Sequence, residues 1–138
     1  MNTREYYELF RYLMGECCLA PESLLFVESV AGWCREHNIT EPDTERPFKL
    51  VSDDSGVFRL LIKEDLSDEV VQQRINALGV RSQLENVAVD REELLNTDKK
   101  RLAYLFLHEL ALRADKDNER DADKWALEEM ERLGFFKQ

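Results

Sequence analysis

Residues 101–134 read RLAYLFLHELALRADKDNERDADKWALEEMERLG, two helical stretches joined by a charged turn. The first is an apolar run over positions 102–112 into which His108 and Glu109 are set. An imidazole or carboxylate buried without a partner costs about 1–3 kcal/mol, so these two side chains require something nearby that satisfies them. Glu119 and Asp123, at the start of the second stretch, are placed to be that something. A metal ion, a water or a plain hydrogen bond would each serve, and the residues alone leave the three open.

The second stretch is amphipathic. Ala122, Trp125, Ala126, Met130 and Leu133 form one stripe at helical spacing, and Glu119 continues it toward the amino-terminal end. The two alanines allow close approach to the His108 helix, which turns Glu119 inward. Asn118 suits a helix N-cap, with Glu119 and Asp121 in the first turn, where the helix dipole favours each carboxylate by about 0.3–1 kcal/mol. That arrangement needs no metal.

His108-Glu109, then Glu119-Arg120-Asp121-Ala122-Asp123 and Trp125-Ala126, resemble the two-helix core of zincin-type metallopeptidases. In that group one helix carries His-Glu-x-x-His and the next Glu-x-x-Ala-Asp. Upstream, Val87-Ala88-Val89-Asp90, Leu94-Leu95 and the entry from Lys100 to Leu107 resemble the edge strand, connection and helix start of small zincins of the ImmA/IrrE kind. The resemblance covers roughly the last third of the chain. It departs from the pattern at Leu112, which stands four residues after His108 where the second histidine belongs.

The resemblance implies His108 and Glu119 as zinc ligands and Glu109 as the base that activates water. Residues four apart share a helix face, so a histidine pair at that spacing grips one ion, and leucine cannot replace its partner. A catalytic zinc takes three protein ligands and keeps one open position, and only two ligands carry over. Asp115 lies about 10 Å from His108 along a helix axis, too far to share an ion, which leaves Asp117 or Asp123 as replacement oxygen ligands. The chain's other histidine, His37, lies far from the motif in sequence and reads as a surface residue at a helix end. No cofactor is therefore expected, with zinc as the alternative.

Upstream, residues 3–14 read as a helix capped by Thr3, with Tyr6, Leu9, Phe10 and Leu13 on one face and Gly15 as its end. A second helix is expected from Pro21 to His37, with Leu24, Val27, Ala31 and Cys34 in one stripe and Asn38 as a left-handed stop. Residues 48–51 and 57–63 read as strands joined by Asp53-Asp54-Ser55-Gly56, a hairpin signal. Ser67 caps a helix running to Leu78 and stopped by Gly79. Residues 87–89 give a third short strand, and its edge, with Val87, Val89 and Asp90, is the expected place for an extended peptide to bind. The plainer alternative is an ordinary sheet edge on which Asp90 acts as a guard charge.

A chain of 138 residues with 43% hydrophobic and 35% charged residues is long enough for a real core. One domain is expected, with a helical part at 1–40 and a zincin-like part at 47–138. The net charge of -10 argues against nucleic acid or an anionic membrane as partner, because both are bound through basic patches. The absence of a signal-peptide pattern or an apolar stretch of about 18 residues makes a cytoplasmic location the expectation. Cys17, Cys18 and Cys34 are an odd number without Cys-x-x-Cys spacing, as fits reduced thiols.

The fold expected is α+β and zincin-like: a small, mostly antiparallel sheet of about three strands on a central motif helix, with two amino-terminal helices and a carboxy-terminal one. The function expected is a degenerate metallopeptidase domain that binds a protein or peptide. An active zinc peptidase with an unusual third ligand and an acidic protein that binds a basic partner are the alternatives.

Overall fold

The computed structural model describes residues 1–17, 19, 23–40, 46–52, 58–79, 95–114 and 119–135, and of residues 78, 79, 113, 114 and 119–121 the backbone alone. Among these residues the architecture is α+β, with five helices and a three-stranded mixed sheet. The chain divides into two compact units, residues 2–67 and residues 68–138 together with Met1. Among the described residues no helix is long and apolar enough to cross a membrane.

In the first unit, α1 (Thr3–Glu16) is followed by β1 (Leu24–Val27), α2 (Val30–Glu36), β2 (Phe48–Ser52) and β3 (Phe58–Lys63). The cap of α1 is Asn2, one residue before the Thr3 expected. Its side chain accepts from the Glu5 N–H while the Glu5 carboxylate accepts from the Asn2 N–H, a reciprocal capping box. The helix buries Tyr6, Leu9, Phe10, Leu13 and Met14. It runs through Gly15 and is capped at Cys17.

The single helix expected from Pro21 to His37 is instead a strand and a shorter helix. Leu24-Leu25-Phe26-Val27 is a continuous apolar run of the kind a buried parallel strand presents, and its helical-looking spacing with Ala31 and Cys34 is coincidental. Ser29 then caps α2 by accepting from the Gly32 N–H. The expectation for Asn38 holds. Its φ is 56°, the Ile39 N–H reaches the Cys34 carbonyl and the Asn38 N–H reaches that of Arg35, the paired bonds of a Schellman stop. Ile39 then packs back on the cluster that contains Cys34.

The strand order is β1-β3-β2, with β1 parallel and β2 antiparallel to β3, so the sheet is mixed rather than mostly antiparallel. The expected hairpin pair of strands is present, with Phe48 opposite Ile62 and Ser52 opposite Phe58. Register and strand alternation put Phe26, Phe48 and Ile62 on one face and Val27, Val51 and Leu61 on the other. On the first face Phe10 meets Phe48 edge-on at 5.1 Å and Tyr7 stacks on Phe26 at 6.5 Å, so α1 lies there. On the second, Val30 and Cys34 of α2 join Val27, Val51 and Leu61 in one buried cluster, with Leu25 and Trp33 packed against it. The sheet is thus covered on both faces, which accounts for the complete burial of Leu60, Leu61 and Ile62 in succession.

The second unit contains α3 (Asp68–Gly79), α4 (Asp98–Ala114) and α5 (Glu119–Arg132), with α3 and α5 both packed against α4. Thr97 caps α4, its hydroxyl accepting from the Lys100 N–H. Arg101 ties the entry down by donating to the Leu95 carbonyl and to Asp98. Every residue over 102–109 is buried, so α4 has no solvent face for two turns and is the central helix of its unit. Gly134, at φ 84°, ends α5 through bonds from the Phe135 N–H to Met130 and from the Gly134 N–H to Glu131. The expected sheet lies in residues 2–67, its third strand supplied by residues 24–27. The expected strand at 87–89 lies outside the described residues.

Candidate functional site

The site is built on the pairing of α4 with α5. On α5, Ala122, Ala126 and Met130 are buried at successive one-turn intervals. The two small side chains permit the close helix approach that the sequence implies. Asp123, adjacent to this ridge, is completely buried. A carboxylate so placed is tolerable only with hydrogen-bond donors around it, and the Tyr104 hydroxyl of α4 donates to its Oδ1.

Tyr104 lies one helical turn before His108, and their rings sit 5.7 Å apart at a 36° tilt. His108 is 3% and Glu109 7% exposed. The expectation that both side chains are buried on a core helix is met. Leu112, one further turn along the Tyr104–His108 face, is half-buried.

Tyr104 is the residue that motif reading passes over. Its signal was nonetheless present: a tyrosine in a fully apolar run must bring its hydroxyl to an acceptor, and a four-residue offset from His108 puts it on the same face. Of the residues singled out by sequence, the structure places His108 and Glu109 on α4 and Asp123 on α5, buried in the same helix-packed unit. Glu119 opens α5, with its side chain outside the described atoms. Val87, Val89 and Asp90 lie outside the described residues, as do Asp115 and Asp117.

No three His, Cys, Asp or Glu side chains among the described residues come together as a metal would require. The position that would complete a histidine pair carries Leu112, and Asp123 accepts from a phenol. What this part of the molecule holds is a buried phenol–carboxylate hydrogen bond with an imidazole one turn away, an arrangement that fixes two helices in register.

Of the cysteines, Cys34 is buried in the α2 cluster and Cys17 caps α1, while Cys18 lies outside the described residues. His37 is exposed at the end of α2, stacked on Trp33 at 3.9 Å, with Nδ1 2.9 Å from the Trp33 carbonyl. Compared with protein families, curated proteins and solved structures, the chain matches none.

Proposed function

We propose that the chain is a degenerate zincin-like domain that works by binding a protein or peptide rather than by hydrolysing one. The observation that carries this reading is the hydrogen bond from Tyr104 to the fully buried Asp123, beside His108 on the same turn-by-turn face. In support of the reading, the His108-Glu109 pair and the Ala122-Asp123 pair lie on two packed helices, in an order like that of the zincin pattern. The Tyr104 hydrogen bond also commits the aspartate to a structural role, while Leu112 occupies the remaining ligand position. In a working peptidase of this kind, bound zinc would supply an electrophile and an activated water. Here the described residues hold helices together, and no catalytic step is assigned to them.

The experiment is zinc content and zinc-dependent thermal shift of the untagged protein beside His108→Ala. Absence of bound zinc and of any shift is the expected result. Stoichiometric zinc, lost in His108→Ala, would overturn the binding-module reading and restore a peptidase with Glu109 as base.

A further inference from the structure

We infer that the outer edge of β1 is a strand-addition site for an extended peptide that is apolar in its middle and basic at its end. In the order β1-β3-β2, β1 has a strand neighbour on one side only among the described residues. Its inward side is identified by the Val27 carbonyl, which accepts from the Glu64 N–H just beyond β3. Peptide groups alternate along a strand, so Val27 and Leu25 bond toward β3 while the N–H and C=O of Leu24 and Phe26 point to the side away from it, which no other described strand occupies.

Sheet edges of this kind are normally guarded by a lysine, a proline, an inward charge or a bulge. β1 has none of these: its four residues are Leu24, Leu25, Phe26 and Val27. The flanking side chains suit an apolar visitor. Phe26 is half-buried, and Tyr7, stacked on it, remains 39% exposed. A residue placed opposite Phe26 on an added strand would lie against that ring pair. Strand addition draws its affinity from main-chain bonds and its selectivity from such alternate side-chain positions.

Charge chooses the occupant. The Glu64-to-Val27 bond gathers Glu28, Glu64 and Asp65, all exposed, at the carboxy-terminal end of the β1–β3 pair. A basic residue at the end of the incoming strand would meet these carboxylates. A second copy of the chain is the poorer fit, since each carries a net charge of -10 and two such copies repel. The inference does not rest on the helix-pair reading, because all these groups belong to residues 2–67.

The test is fluorescence anisotropy with labelled acetyl-Lys-Lys-Val-Thr-Val-Thr-Val-Lys-Lys-amide against the full chain. Saturable binding is expected, weakened about tenfold or more when alternate peptide nitrogens are methylated and lost when glutamates replace the lysines. Phe26→Pro, which removes an outward N–H at an edge where proline is tolerated, should abolish binding while leaving the circular dichroism spectrum intact. Glu28→Lys with Glu64→Lys should invert the preference between the two peptides. No saturable binding, or equal binding by the methylated peptide, overturns the inference. So does a concentration-dependent dimer in sedimentation that Phe26→Pro dissolves, since it would give the edge to a second copy.

Discussion

The Tyr104 hydroxyl on α4 donates a hydrogen bond to the Asp123 carboxylate on α5, and both side chains are completely buried. Removing the donor strands part of a carboxylate's hydrogen-bonding capacity in the core, a loss of about 1–3 kcal/mol. Tyr104→Phe should therefore lower unfolding stability by that amount in urea titration. In a cycle with Asp123→Ala, which leaves no acceptor, the two losses should fall short of adding by about 0.5–3 kcal/mol, since the residues share one bond. Strict additivity would mean that the bond contributes nothing to holding the helices.

Leu112 lies one turn from His108 on the same helix. Leu112→His restores the spacing at which two imidazoles share an ion. A folded Leu112→His protein should gain zinc affinity, read by competition with a chromophoric chelator, and His108→Ala in that background should remove the gain. A folded variant with no gain would count against the zincin reading of α4 and α5 as a whole.

Asn38 holds the left-handed conformation that stops α2, at φ 56°. Asparagine and glycine adopt this region readily, and other residues cost about 1–2 kcal/mol there. Asn38→Gly should leave the thermal midpoint nearly unchanged, whereas Asn38→Val should lower stability by about that cost. Equal effects of the two substitutions would show that the Schellman bonds, not the backbone angle, dominate.

Leu61 sits at the centre of β3, in register with Leu25 on one side and Lys49 on the other, inside the cluster that α2 covers. Leu61→Ala should cost about 2–5 kcal/mol through lost burial and the cavity left behind. Tyr12→Ala, at a residue 45% exposed, should stay within about 0.5 kcal/mol. Chemical denaturation of the two variants separates the core face from the surface.

Several elements were legible in the sequence because local chemistry dictates them. The turn residues between 48–51 and 57–63 announce the antiparallel pair, Asn38 stops its helix as a left-handed residue, and the continuous apolar run at 102–107 makes a core helix that carries His108 and Glu109 inside. These are properties of a few consecutive residues, and neighbours in space need not be known to read them. The segment at 21–37 is ambiguous for the same reason, since four apolar residues in a row satisfy a helix stripe and a doubly covered strand equally well.

Only the tertiary structure decided that residues 24–27 pair with β3 in parallel, making the sheet mixed and giving it β1 as an edge among the described residues. It alone brought Tyr104 to Asp123 across 19 positions of sequence. Pairing partners of buried polar groups and the order of strands depend on which surfaces meet after collapse, and that is set by the whole chain's burial of apolar area rather than by any stretch of it.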